Sequence, residues 1–369
     1  MKRNLILAAA VVLIVGAIFY LESLHPKHAG VAGGGNEVAS STVHTADYAQ
    51  KSLVYPMAKE LVSPDGYINV APDFTLSSLV GQKVILLDFW TYSCINCLRT
   101  LPYVEAWYNK YKDYGLEVVG VHTPEFDFEK VLSNVQTAVS KYSLTYPVVM
   151  DSNYGTWDAY SNQYWPEHYL IDINGLVVDR GIGEGNYADT EMKIQTLLKE
   201  RAMALGQDPS KIPTGLVDVN ATEINSQSPE TYFGSNRNQY LGNGAQGKAG
   251  VQTLQDPANV SLNTLYLSGT WDFLPEYAQS ASAGAKIFYA YNAKNVYFVA
   301  SASSTADIEV LRDGVPVSAE KGDDVDQHSM LHVQGARLYK VINENEAGTH
   351  TLELIIKNPG LEAFTFTFG

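Results

Sequence analysis

From Tyr67 to about Leu205 the apolar positions switch repeatedly between a spacing near two and a spacing near 3.6, the pattern of βα units in an α/β sheet. Val84 to Phe89 is a continuous apolar run broken only by Asp88, which predicts a central strand buried on both faces. The segment that follows, Cys94 to about Tyr111, sets Leu98, Leu101, Val104 and Tyr108 at helical spacing, so Cys94 falls at a helix N-terminus. Further along, Leu116–Val121 reads as a strand, Phe128–Tyr142 as a helix, Tyr146–Met150 as a buried strand and Tyr154–Tyr160 as a short helix. His168–Ile171 and Leu176–Ile182 flank Asn174-Gly175, a hairpin signal, and a last helix runs from about Asp189 to Leu205.

After Gly206 the helical spacing disappears. Pro209 and Pro213 break the chain, and short alternating runs follow at Thr264–Leu267, Lys286–Tyr291, Val296–Ala300, Asp307–Leu311, Arg337–Ile342, Thr349–Ile355 and Ala363–Phe368. Separated by Gly, Pro, Asn and Asp, they predict an all-β sandwich of jelly-roll type. At the other end, Met1-Lys2-Arg3 precedes an uncharged apolar stretch, Leu5 to Tyr20, that reads as an export signal retained as a single membrane-spanning anchor. Basic residues before the span place the N-terminus in the cytoplasm and the rest outside. The organisation is therefore an anchor at 1–25, a flexible tether at 26–64, an α/β domain at 65–208 and a β-sandwich at 216–369.

Length supports this division, since 369 residues suit two domains that each bury a core. Forty acidic against 25 basic residues give a net charge of −15, which excludes nucleic acid as a partner on electrostatic grounds. Only two cysteines occur, Cys94 and Cys97, two residues apart. An exported chain that needed disulfide staples would scatter its cysteines, so a lone C-x-x-C points to thiol chemistry.

That chemistry requires one sulfur to be a thiolate near neutral pH and a second to resolve the mixed disulfide. The helix N-terminus favours a thiolate at Cys94 and makes it the nucleophile. Cys97, one turn later, is the resolving thiol. Asp88 is costly to bury in an apolar strand unless it has a role, and a buried acid could shuttle the proton of Cys97. For Asp88 a satisfied core acid is the competing reading.

The run Leu86-Leu87-Asp88-Phe89-Trp90-Thr91-Tyr92-Ser93-Cys94-Ile95-Asn96-Cys97 resembles the active-site stretch of thioredoxin-like proteins. The resemblance implies a thioredoxin-like fold, with a cis-proline facing the dithiol that corresponds to Pro166 in Trp165-Pro166-Glu167-His168. Trp165 would then line the substrate groove, with Trp90 and Glu125 as further groove residues; packing competes for the two tryptophans and a plain loop role for Glu125. Ala71-Pro72-Asp73-Phe74, Gly120 to Phe126 and Trp157 to Tyr160 resemble the TlpA/redoxin branch and, within it, the extracytoplasmic part of DipZ-type proteins. Glu230 to Gly234, Ser268 to Trp271, Arg337 to Tyr339 and Phe366 to Gly369 resemble the carbohydrate-binding-module-like sandwich that follows in that family. DipZ-type proteins carry a multi-span electron-transferring domain, whereas this chain shows one span. The resemblance therefore implies a separate membrane electron carrier of DsbD/CcdA type as a partner, disulfides of exported proteins as substrates, and no cofactor beyond the Cys94–Cys97 pair.

Two other functions compete for the same residues. A thiol peroxidase would use Thr91-x-x-Cys94, but Leu87 stands where its proline is expected. A copper-binding chaperone would join the thiolates to a distant His, but the usual spacing there is C-x-x-x-C. A structural disulfide or zinc half-site also competes for the pair, yet neither His122 nor His168 has ligand-like spacing from the cysteines, and no metal is expected. Trp271, Tyr289, Tyr291 and Tyr297 are candidate glycan-stacking rings in the second domain, with core packing as the competing reading. The acidic loop Gly322–Asp326 is expected to be a solvated turn rather than a calcium loop. Ile95-Asn96 between the cysteines leaves open whether the dithiol reduces or oxidises, and the resemblance favours reduction.

Overall fold

The computed structural model describes residues 36–38, 45–219 and 226–369. The expected anchor at 1–25 lies outside the described residues, among which no helix is long and apolar enough to cross a membrane. The first domain is built on strands β1 (Gly66–Ile68), β2 (Val84–Trp90), β3 (Leu116–His122), β4 (Val148–Met150), β5 (Glu167–Ile171) and β6 (Val177–Ile182). Their order in the sheet is β1-β4-β3-β2-β5-β6. β2, β3 and β4 run parallel, while β5 and β6 form the antiparallel hairpin predicted around Asn174-Gly175. Helices are α1 (Tyr48–Lys51), α2 (Ile95–Tyr111), α3 (Leu132–Lys141), α4 (Gly155–Ala159) and α5 (Tyr187–Ala204).

Strand parity decides what each face of β2 carries. Val84, Leu86 and Trp90 join Leu101, Val104 and Trp107 of α2 and Ile194 and Leu198 of α5 in one core. Ile85, Leu87 and Phe89 face the other way, into a core closed by Trp157 and Tyr160. Asp88 shares the parity of Leu86 and Trp90, so its carboxyl is directed to the side on which α2 carries Cys97.

The second core is also closed by residues expected in the tether. Val38, Ala58 and Leu61 are buried in it. Ala58 N donates to Gly175 O, Val177 N to Pro56 O, and Thr45 N to Asn174 Oδ1. The described part of the tether is thus bound to the sheet rather than free, because it supplies apolar cover that this face would otherwise lack.

The second domain is a ten-stranded sheet formed by β7 (Thr231–Tyr232), β8 (Gly250–Leu254), β9 (Leu265–Phe273), β10 (Ala278–Ser280), β11 (Lys286–Ala302), β12 (Ala306–Arg312), β13 (Val315–Pro316), β14 (Met330–Val333), β15 (Arg337–Ile356) and β16 (Leu361–Phe368). Two predicted breaks are absent. Lys286–Tyr291 and Val296–Ala300 are halves of β11, and Arg337–Ile342 and Thr349–Ile355 are halves of β15. The polar residues read as a turn between the β11 halves sit instead where the ladder to β15 shifts register, between Ala293 and Asn295 and again at Val296 and Tyr297. Such bulges bend a strand without ending it. The bend lets β11 pair with β9 through its first half and with β16 through its second, so the sheet folds over its own core.

Trp271, Tyr289 and Tyr291 are fully buried in that core and Tyr297 is 6% exposed. Trp271, Tyr289 and Tyr291 pack the core of this domain, and Tyr297 packs in a cluster with Ile95 and Phe126 of the first. In the acidic loop, Asp323 pairs with Lys340 and Asp324 with Arg337.

Candidate functional site

β2 delivers the chain to the sheet edge at Trp90, and the loop Thr91–Ser93 turns it into α2 with Cys94 as the N-cap in extended conformation. The Cys94 sulfur accepts the N–H of Cys97 at 3.4 Å, doing with sulfur what a capping hydroxyl does with oxygen. Across the groove, the Cys94 thiol lies 3.7 Å from the carbonyl oxygen of Trp165, and the Trp165–Pro166 peptide is cis, as the resemblance implied. Cys94 is partly exposed and Cys97 is buried.

Burial pushes the Cys97 thiol well above its ordinary value; adjacent Cys94 adds to the effect, and the Asp88 carboxyl raises it further. Asp88 is itself pushed up to about 8 by burial, and neither of its oxygens has a protein hydrogen-bond partner. The indole N–H of Trp90 and the hydroxyl of Tyr146 are likewise buried without a protein partner. Trp90, Tyr146 and Cys97 belong to one packed cluster, so the dithiol is backed by an apolar wall holding an uncommitted carboxyl. Placing Trp90 in the substrate groove is therefore corrected. It is fully buried and packs edge-on against His122, because β2 parity points it inward.

Trp165 borders the cavity that Cys94 lines. Its indole N–H donates to Thr123 O at 3.0 Å, and its ring packs 4.2 Å from that of Trp157. Glu125 borders the same cavity, but its carboxylate is engaged by the second domain: Tyr232 Oη donates to it at 2.7 Å and Arg237 Nη1 lies at 2.7 Å. His122 is buried beside Thr91 and held down to about 3 by loss of water, and His168 is lowered to about 4 for the same reason. Among the described residues no group of three or more His, Cys, Asp or Glu is placed to hold a metal ion.

Three features escape sequence reasoning. Glu129, fully buried and pushed up to about 7 by burial, accepts from Ser93 N, Ser93 Oγ, Glu125 N and Phe126 N, and so ties the loop before Cys94 to the loop after β3. Its signal was an acid immediately after the aromatic pair Phe126 and Phe128. Arg99 on α2 is held by both oxygens of Glu184 and bonds Asn96 Oδ1, fixing the residue between the cysteines. Finally, Ile95 is 7% exposed, covered by Tyr297, Val299, Leu338 and Phe364 of the second domain. Tyr92 Oη donating to Ala336 O and Asp127 N donating to Glu276 Oε2 complete this contact.

Residues 57–180 match the AhpC/TSA family and residues 228–369 match the thioredoxin like C-terminal domain. DipZ of Mycobacterium tuberculosis is 37% identical over 315 residues, 85% of this chain and 43% of that protein. The chain thus spans less than half the length of the DipZ relatives it matches. The thiol-disulfide oxidoreductase ResA of Bacillus thuringiensis is 30% identical over 139 residues, 35% of this chain and 75% of that protein. The thiol-disulfide oxidoreductase YkuV of Bacillus subtilis is 28% identical over 141 residues, 38% of this chain and 93% of that protein. With a close C-x-x-C at a helix start, a cis-proline facing it and these relatives, the chain belongs to the thioredoxin-like protein-disulfide oxidoreductases, a redoxin domain joined to a DipZ-like, strand-rich C-terminal domain.

Proposed function

We propose that this chain is a membrane-anchored, extracytoplasmic reductase of disulfides in exported proteins. In this reading the Cys94 thiolate attacks one sulfur of the substrate disulfide, and the other sulfur leaves and takes up a proton. Cys97 then loses its proton and attacks Cys94 Sγ of the mixed disulfide, releasing the second substrate thiol and closing Cys94–Cys97. Two electrons and two protons pass to the substrate. Asp88 accepts the Cys97 proton, since a carboxyl near 8 can change state at working pH. Trp165 and Pro166 form the groove wall along which the substrate chain lies.

The direction rests on the DipZ resemblance, carried by 37% identity over 85% of this chain. The Cys97 thiol, held well above its ordinary value by burial, its neighbour Cys94 and the acid behind it, stays protonated until the mixed disulfide calls on it. A reductant outside the cytoplasm must be recharged across the membrane, so a DsbD/CcdA-type carrier on another chain is the partner, and Leu5–Tyr20 is the anchor that keeps the dithiol near it.

Equilibrating Cys94–Cys97 against glutathione and dithiothreitol buffers tests the direction. A potential around −270 mV is expected, and one near −120 mV would overturn it.

A further inference from the structure

A cavity of about 230 Å³ opens above Cys94, and its walls come from both domains. Cys94, Tyr164 and Trp165 form one side, and Glu230, Tyr232 and Arg237 form the other. The second wall is fixed in place. The Arg237 guanidinium stacks 3.7 Å from the Tyr232 ring, and both side chains bind the Glu125 carboxylate. The flank of the dithiol next to Ile95 is sealed by the apolar contact with Tyr297, Val299, Leu338 and Phe364. Cys94 lines this cavity, so a substrate sulfur that approaches it there meets walls from both domains. The cavity's volume is below the roughly 300–1,000 Å³ of pockets that enclose a drug-sized ligand. It has room for a residue or two of extended chain but not for the surface of a folded domain.

Building on the oxidoreductase reading, we propose that the second domain is a substrate-selecting wall. Glu230, Tyr232 and Arg237 restrict Cys94 to disulfides carried on extended, unfolded polypeptide. The wall takes no part in the exchange itself, in which two electrons and two protons still move between the Cys94/Cys97 pair and the two substrate sulfurs.

Glu230 lines the rim of the cavity beside Tyr232 and Arg237, and burial together with the Glu125 charge pushes it up to about 7, so the charge reversal is read at pH 8.5, where its carboxylate is ionised. The experiment takes the detergent-solubilised, pre-reduced full chain and its Glu230→Lys variant. Second-order rates are measured with unstructured disulfide peptides flanked by Lys or by Glu, with the same disulfide on the surface of a folded domain, and with hydroxyethyl disulfide.

Wild-type protein should reduce the peptides about tenfold or more faster than the folded disulfide, which must open locally before it fits. Glu230→Lys should shift the Lys-flanked to Glu-flanked rate ratio by about fivefold toward the Glu-flanked peptide, the size of one exposed charge contact. The rate with hydroxyethyl disulfide, which carries no flanking charge, measures any general change in Cys94 reactivity, and the flank ratio is read relative to it. Equal rates on folded and extended disulfides, or a flank ratio that Glu230→Lys leaves unmoved, would overturn the wall. An oxidising potential would sink the proposed direction instead, and the same ratios, read for oxidation of the reduced peptides, would still decide the wall.

Discussion

Replacing Asp88 by Asn tests the chemistry of the buried acid through stability. The carboxyl is pushed up from 3.8 to about 8 by burial alone, and neither oxygen has a protein partner. Between those two pH values the folded state holds a proton that the unfolded state has released, so stability falls as pH rises through this window. At 1.36 kcal/mol per pH unit, the contribution present at pH 4 and lost by pH 8 is about 5–6 kcal/mol. An Asn carries no charge at any pH and escapes the loss. Urea unfolding at pH 5 and pH 8.5, in a background with both cysteines replaced by Ala so that no thiol titrates, reads the effect. The Asp88 protein should lose about 4 kcal/mol or more across that interval relative to the Asn variant, since part of the loss lies below pH 5. Glu129 and Asp151, also raised, to about 7 and about 6, contribute to both proteins and cancel in the difference. Parallel pH curves for the two proteins would refute a carboxyl raised to about 8 at Asp88, and with it a proton-acceptor role that depends on Asp88 changing state at working pH.

Cys97→Ser should trap a mixed disulfide between Cys94 and substrate, seen as a thiol-sensitive adduct on a non-reducing gel, whereas Cys94→Ser should give none and no turnover. Glu129→Ala leaves buried N–H groups of Ser93, Glu125 and Phe126 without their acceptor and should cost about 3 kcal/mol or more in urea unfolding, a value near zero refuting its tying role. Phe364, 3% exposed between Phe126 and Phe128 of the first domain and Tyr277 of its own, joins the two halves. Phe364→Ala should cost about 3–4 kcal/mol and split one calorimetric transition into two; a single unchanged transition would refute Phe364 as the side chain that couples the two domains.

Much of the first domain was legible because its strands and helices carry their burial pattern on their sleeves: β2 is apolar on both faces, α2 on one. The dithiol was legible for a different reason, since two cysteines in a long chain leave few alternatives. Asp88 stood out as a charge inside an apolar strand, and parity alone directs it toward Cys97. Trp90 was misplaced although the same parity assigns it inward; its nearness to Cys94 in sequence suggested the groove, but a residue at the end of a central strand belongs to the sheet. The tether from 45 to 64 lacked periodicity because it pairs with the sheet through isolated bridges such as Met57 to Leu176, which leave no repeating trace.

The contact between the domains did leave a trace. Along β11, Val296, Phe298 and Ala300 lie in the sandwich core, while Tyr297 and Val299, of opposite parity, lie in the cluster with Ile95 and Phe126. In β16, Ala363 and Phe366 face the sandwich and Phe364 faces the first domain. A sandwich strand with water on one side alternates apolar with polar, and one covered on both sides does not. The unbroken run Val296–Ala300 therefore called for a second cover, which Ile95 and Phe126 of the first domain supply. The same cluster sets Ile95, the residue after Cys94, against Tyr297, Val299, Leu338 and Phe364, so the apolar run along β11 and the first turn of α2 bury each other.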